Sequence, residues 1–267
     1  MPRPKKEIRM AEKKENKHKF IPQVGGVLRH NILELPPVMR ESSGILVFGR
    51  RIKTFVFSTD LAIIRNCDAD AVFAVYPFTP QQSITDAIIK NSYIPVFAGV
   101  GGSITQGQRS LDLAKDVESQ GAMAVVVNAA FSNENLEAVV KAIDIPVVVT
   151  ITSMDQNIAG RIHAGARILN VAGARHTAAI VKKIRQQYPT IPIIASGGNR
   201  EEYIRETIEA GANALTYTPP STAELFTMSM NEHYRTGDPA SSENDGSLVL
   251  VEDAEVPDLV SPNPESN

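Results

Sequence analysis

The chain has 267 residues, of which 43% are apolar, with one cysteine, no tryptophan and a formal net charge of −3. That length suits one large domain or two small ones, and a lone Cys67 excludes an intrachain disulfide framework or a cysteine metal site. The near-neutral total excludes a general affinity for nucleic acid or anionic membranes, and no apolar run approaches the ~18 residues that a membrane-spanning helix needs.

The charge is unevenly placed. Residues 1–19 hold eight Lys/Arg against three Asp/Glu, a net of +5, and read as a basic disordered tail. No aromatic residue interleaves the lysines, which argues against a nucleic-acid arm. No apolar stretch follows them, so no signal peptide is expected, and Glu7, Glu12 and Glu15 oppose a transit peptide. With the lone cysteine, this makes the cytoplasm the expected location. Residues 20–53 form an N-terminal extension. Pro36-Pro37 breaks any long helix there, and Gly44–Gly49 is an apolar segment able to pair with or plug the fold that follows.

From Thr54 the chain alternates. Apolar, largely β-branched runs fall at Thr54–Phe57, Ala71–Tyr76, Pro95–Ala98, Met123–Val127, Pro146–Thr150, Arg167–Val171, Ile191–Ala195 and Asn213–Tyr217. Continuous apolar runs of this length are what strands buried on both faces of a parallel sheet require. Helical spacing fills the intervals at about 60–67, 80–90, 105–119, 133–142, 155–163, 175–187, 200–209 and 220–233. Eight βα units in about 180 residues predict an α/β fold: a single parallel (β/α)8 TIM barrel over residues 54–234. Residues 235–267, with eight Asp/Glu from 236 onward and no Lys/Arg, read as an acidic disordered tail broken only by Leu248–Val251.

An internal repeat strengthens the barrel. Ile94-Pro95, Ile145-Pro146 and Ile191-Pro192 precede the third, fifth and seventh strands. Gly121-Ala122, Gly165-Ala166 and Gly211-Ala212 lead the fourth, sixth and eighth, with Asp68-Ala69 as a variant before the second. Gly after a helix takes the left-handed position that ends it, and Pro at a strand's first residue sacrifices no ladder bond. Odd and even strands fill alternate layers of such a barrel, so their sequences should differ in this way.

In this fold the chemistry lies at the C-terminal ends of the strands. The strongest signal there is Ser196-Gly197-Gly198-Asn199 after the seventh strand. Two glycines let the backbone approach an anion, and a helix start adds N–H donors and partial positive charge. Gly197, Gly198, Asn199 and, after the eighth strand, Ser221 are the candidate phosphate-binding residues. Pro219 and Pro220 have no N–H to offer, and Thr218 is a candidate helix cap. Asn128 and Asn170 end the fourth and sixth strands and are candidate substrate-binding amides, with Arg175 beside them in the sixth loop. Asp60 and His176 are candidate catalytic groups; capping is the simpler role for Asp60, as for Asp155. Gly99–Ser103 reads as opening the third helix. None of the twelve lysines ends a strand, which argues against a Schiff-base aldolase. The five histidines are scattered, so neither a metal site nor a cofactor is expected.

Ile191–Gly198, followed by a helix and Glu209–Leu215, resembles the half-barrel phosphate motif of the ribulose-phosphate-binding barrel superfamily, with weaker likeness in strand rhythm over 54–234. The resemblance implies a small phosphorylated metabolite as the partner and an enzyme of lyase, isomerase or synthase type. A hydrolase on the same barrel, or a non-catalytic barrel that senses such a metabolite, stays open beside it. The composition leaves room for a homo-oligomer, and no membrane partner is expected.

Overall fold

The structure, a computed structural model, describes Pro22, Val24 and residues 32–230. The two charged tails read from the sequence lie outside the described residues. Two short strands, β1 (Ile45–Val47) and β2 (Arg50–Ile52), pair antiparallel as a hairpin. The barrel follows. Its strands are β3 (Thr54–Phe57), β4 (Ala71–Ala74), β5 (Val96–Gly101), β6 (Ala124–Val127), β7 (Val147–Ile151), β8 (Ile168–Val171), β9 (Ile193–Ser196) and β10 (Ala214–Tyr217). All eight run parallel in sequential order, and β10 pairs with β3 to close the ring. The helices between and after them are α1 (Leu61–Arg65), α2 (Gln82–Asn91), α3 (Gln108–Ser119), α4 (Asn133–Ala142), α5 (Ile158–His163), α6 (Thr177–Gln187), α7 (Glu201–Glu209) and α8 (Thr222–Met230). The expected single TIM barrel is therefore the observed fold.

Strand alternation divides the apolar residues into two cores. Outward residues such as Val56, Val72, Val125, Val149 and Leu215 pack with helix residues such as Leu113, Leu136, Val181 and Ile204. Inward residues fill the lumen in layers taken from alternate strands. The lowest layer is Ala71, Ala124, Ile168 and Ala214, and the next is Phe55, Phe97, Val148 and Ile194. Phe55 and Phe97 meet edge to face at 4.8 Å, as neighbours within one layer should. Three alanines in the lowest layer leave room beneath it. The hairpin fills that room with Ile45, Val47 and Ile52, which are buried in the same cluster.

The sequence repeat has a direct structural meaning. Gly121, Gly165 and Gly211 adopt φ of +95°, +102° and +108° at the helix ends, a conformation a side chain would resist. The carbonyls of Pro95, Pro146 and Pro192 accept from Val72, Val125 and Leu169, so each proline serves its neighbour strand without needing an N–H. At the variant position, Asp70 accepts the N–H groups of Lys53 (2.8 Å) and Thr54 (3.1 Å), while Asp68 pairs with Arg40 at 2.7 Å.

One element departs from expectation. Gly99–Gly101 does not open a helix; it continues β5, with a shift in register against β6. A Cβ at Gly101 would lie 2.5 Å from the Phe131 ring, so the strand passes under Phe131 only because it carries no side chain there. Among the described residues, no helix is long and apolar enough to cross a membrane.

Candidate functional site

By strand alternation, the inward residues above the aromatic layer are Phe73, Val126, Asn170 and Thr216. Phe57, Gly99, Thr150 and Ser196 form the mouth. The floor of the mouth thus has two halves. Strands β3–β6 supply Phe57, Phe73, Gly99 and Val126, with the two phenyl rings stacked at 6.0 Å. Strands β7–β10 supply Thr150, Asn170, Ser196 and Thr216, polar and uncharged. Asn170 is only 6% exposed. Its amide nitrogen donates to Thr150 Oγ1 at 3.3 Å, and its Oδ1 has no hydrogen-bond partner. A buried acceptor left unpaired is costly.

Beside this floor a cavity of about 150 Å³ opens under the second and third loops, lined by Tyr76, Phe78, Ile104, Val126, Asn128 and Thr150, among others. Asn128 is held in place: its Oδ1 accepts from Ala130 N at 3.0 Å, and its amide nitrogen lies so close over Gly102 that a Cβ there would stand 2.4 Å away. Loop four is pinned from below by Arg161 of α5. Its guanidinium donates to the carbonyls of Ala129 and Phe131 and, at 2.9 Å, to Asn133 Oδ1. Burial pulls its pKa below the ordinary guanidinium value. Thr105 Oγ1, also buried in the cavity wall, has no partner.

The candidate phosphate residues lie on the opposite arc. Gly198 has φ +71°, so the turn into α7 uses the conformation that favours glycine. No described residue accepts from the backbone N–H of Gly198 or Asn199. The helix they lead carries Glu201 and Glu202 in its first turn, which offset part of its positive end. Ser221 differs. Its N–H donates to Glu224 Oε2 at 2.6 Å, and Glu224 N donates back to Ser221 Oγ at 3.2 Å. This is a capping box, and Ser221 rather than Thr218 closes the helix end. The Ser221 hydroxyl and N–H hold the Glu224 carboxyl below its ordinary pKa. A ligand anion at Ser221 must therefore displace a carboxylate.

Asp60 caps α1, accepting from Ala62 N at 2.8 Å, and its second oxygen accepts from the Thr222 hydroxyl. That bond joins the first loop to the eighth and is the main reason the Asp60 carboxyl sits below its ordinary pKa. Asp155 does not cap α5; Asn157 does, through Gly160 N at 2.9 Å, because the helix starts three residues later than its spacing predicts. Arg175 and His176 are both exposed, and Arg175 Nε donates to His176 Nε2 at 3.2 Å. They follow Ala174, which has φ +48°, a strained value for a residue with a side chain.

The structure thus brings Asn128 and Asn170 to one continuous surface through Thr150, and joins Asp60 to the residue after Ser221. It leaves Arg175 and His176 on the rim, outside the cavity. The sequence reading missed Thr150 and Thr105. Thr150 had one legible signal, a hydroxyl as the last residue of an otherwise apolar run. Thr105 had none, since its position depends on a loop path.

Among solved structures the fold is similar to a phosphoenolpyruvate phosphomutase from Streptomyces platensis subsp. rosaceus (TM-score 0.54, 11% identity), covering 68% of this chain and 81% of that one. It is similar to a protein described as a phosphonomutase from Burkholderia cenocepacia J2315 (TM-score 0.53, 14% identity, 68% and 93% covered). It is also similar to a mandelate oxidase bound to 3,3-difluoro-2-hydroxy-3-phenylpropionic acid (TM-score 0.53, 17% identity, 66% and 68% covered). At these identities the likeness shows the TIM-barrel fold alone. No family model matches the chain. No curated protein matches it either.

Proposed function

We propose that the C-terminal mouth of this barrel binds a small phosphorylated metabolite, in the manner of the ribulose-phosphate-binding barrels, and that the protein is an enzyme of lyase or isomerase type. One observation carries the ligand class: the N–H groups of Gly198 and Asn199, without acceptors among the described residues, stand at a glycine turn before α7. Phosphate sites of this fold recur in that position. Asn128 and Asn170 would orient the body of the ligand, with Arg175 at the rim. His176 is the candidate proton carrier. It sits on the strained turn at Ala174, and such strain clusters at active sites. Asp60 is a weaker candidate, since both its oxygens are engaged and its lowered pKa makes it a poor base.

A second reading, a barrel that senses the same ligand without turning it over, has its own support. The cavity lining and the floor contain no carboxylate, lysine, arginine or histidine, and their one titratable side chain is Tyr76, whose hydroxyl oxygen accepts from Gln81 N at 2.7 Å.

The ligand class is tested by thermal shift across a panel of phosphate esters with wild type and Gly198→Ala. A ligand at 100 times its Kd adds about 2.7 kcal/mol of apparent stability. Phosphate-ester binding by the wild type that weakens at least tenfold in a folded Gly198→Ala supports the site; no binding across the panel refutes it. Phosphorus NMR of the mixture then separates the two readings: turnover that disappears in His176→Ala supports the enzyme, and binding without turnover supports the sensor.

A further inference from the structure

An open depression of about 280 Å³ lies between loops four and five, lined by Ser132, Asn133, Gln156, Asn157 and Arg161, among others. It shares no lining residue with the cavity beside the floor. Its side-chain amides have all spent their oxygens on the chain itself. Asn157 caps α5, its Oδ1 accepting from Gly160 N at 2.9 Å. Gln156 Oε1 accepts from Thr152 N at 2.8 Å and from Ser153 N at 3.4 Å. Asn133 Oδ1 accepts from the Arg161 guanidinium at 2.9 Å. Each of these partners can only donate, so oxygen and nitrogen cannot be exchanged in any of the three amides, and the N–H₂ is the end left over. None of the three N–H₂ groups has an acceptor among the described residues. The carbonyls of Phe131, Ser132, Gln156 and Asn157 are occupied as well, by Arg161 Nη1, Leu136 N, Ile158 N and Arg161 N.

Arg161 adds a positive charge that the chain leaves unanswered. It is half-buried, and its guanidinium is bound to neutral oxygens, those of Ala129, Phe131 and Asn133. Burial is the one cause that moves its pKa, and no carboxylate acts on it. Glu134 and Asp155 neighbour the depression in sequence, but both are exposed and neither lines it. A charge withdrawn from water is ordinarily paired. The amides also converge: a Cβ on Gly160 would lie 2.7 Å from Asn157 Nδ2 and 3.1 Å from Asn133 Nδ2, so both nitrogens border one point above α5. A wall with unspent N–H donors, an unpaired guanidinium and occupied oxygens matches a ligand group that accepts hydrogen bonds without donating any and carries negative charge.

We infer that the depression between loops four and five binds an oxyanion, a carboxylate or phosphate group, through the side-chain N–H₂ groups of Asn133, Gln156 and Asn157 beside the Arg161 charge. This site is separate from the proposed phosphate turn at Gly198 in the seventh loop, and it stands or falls without it.

The test follows the side-chain amide signals of the isotope-labelled full chain by NMR, at constant ionic strength, during titration with inorganic phosphate, acetate and, as a neutral control, acetamide. Three variants of the same shape accompany the wild type: Asn133→Asp, Gln156→Glu and Asn157→Asp. Each keeps the oxygen that accepts the bond described above and replaces the N–H₂ with a second, negatively charged oxygen. Each should fold, since Asp caps a helix as well as Asn does, and the signal each one lacks assigns the spectrum. The expected result is that the signals of Asn133, Gln156 and Asn157 move together and saturate with phosphate or acetate, and stay in place with acetamide. Affinity should fall at least tenfold in Gln156→Glu and in Asn157→Asp with no loss of melting temperature, and should be unchanged in Gly198→Ala. Saturation by phosphate alone supports a phosphate group as the occupant, and saturation by acetate alone a carboxylate. Acetamide moving the three signals equally overturns the anion assignment. Signals that drift without saturating, or that saturate alike in the variants, overturn the site. A response lost in Gly198→Ala belongs to the turn before α7 and overturns this inference while leaving the phosphate turn standing. The wild-type titration decides even if a variant does not fold.

Discussion

The two ends of the barrel treat their polar groups in opposite ways. At the N-terminal end Asp70 takes two backbone N–H groups, Asp68 pairs with Arg40, and Asn213 Oδ1 accepts from Ile193 N and from Arg185. Arg185 also donates to the carbonyls of Gly211, Pro189 and Ile191. The hairpin then seals the lumen with apolar side chains. At the C-terminal end Asn170 Oδ1 and Thr105 Oγ1 are buried without partners, and the N–H groups at Gly198 and Asn199 have no acceptor among the described residues. Among the described residues the closed end is finished almost entirely by the chain's own groups, with Gln120 Oε1 at the end of α3 the one buried atom left unpartnered there; the open end leaves more unspent. Stability and binding should therefore separate along the barrel axis, with substitutions at the closed end lowering the melting temperature and leaving ligand affinity alone.

The largest effect is expected at the plug. Ile52 is fully buried beneath the lowest lumen layer, so Ile52→Ala leaves a cavity and should cost about 2–5 kcal/mol. Each kcal/mol moves Tm by about 2–4 °C in a domain of this size, which calorimetry resolves. A loss well below 1 kcal/mol would mean that the hairpin only rests on the barrel. Next comes Asp70→Ala, which strands the N–H groups of Lys53 and Thr54 and should cost about 1–3 kcal/mol, read by urea unfolding. Affinity for any ligand of the mouth should stay within twofold in both variants; a larger change would break the separation of the two ends.

At the open end the larger effect moves from stability to affinity. Gly198→Ala places a side chain in open space, with Tyr203 the nearest neighbour at 3.9 Å, so its stability cost is that of the positive φ alone, about 1 kcal/mol. Its effect on phosphate-ester affinity should exceed that cost, and a variant that loses stability but no affinity would make the turn purely structural.

The smallest effect is expected at Thr222→Val, which removes the hydroxyl that holds Asp60 ionised. Asp60 has a folded pKa below its unfolded value. The stability it lends is therefore complete above about pH 4 and disappears as pH falls through the folded pKa. The Tm difference between wild type and variant should be present at pH 7 and close towards pH 2. A difference that does not change with pH would assign the Thr222 contact to packing.

The barrel itself was legible because its signals are local and repeated. An Ile-Pro pair marks where three strands begin. A Gly-Ala pair marks where three helices stop. Runs buried on both faces need no knowledge of their neighbours to be recognised. The glycine turn after β9 was legible for the same reason, since Gly197-Gly198 after an apolar run predicts a positive φ wherever it occurs. Even the hairpin had a trace in the apolar Gly44–Gly49 segment, although the alanines that make room for it lie on β4, β6 and β10.

What the sequence determined alone is thus the order, the number and the punctuation of the elements, because backbone conformation answers to residues a few positions apart. What only the tertiary structure decided is which polar groups remain unspent. Ser221 faces Glu224 three residues on, a box visible in outline, yet the Thr222–Asp60 bond spans 162 positions. Asn170 meets Thr150 only because β7 and β8 are neighbours in register, and its Oδ1 is left without a donor by what the rest of the barrel packs around it. The division of the floor into an apolar and a polar half depends on barrel closure, which turns one residue from each of eight strands toward a common axis. No stretch of chain carries that ring; it exists only where β10 meets β3.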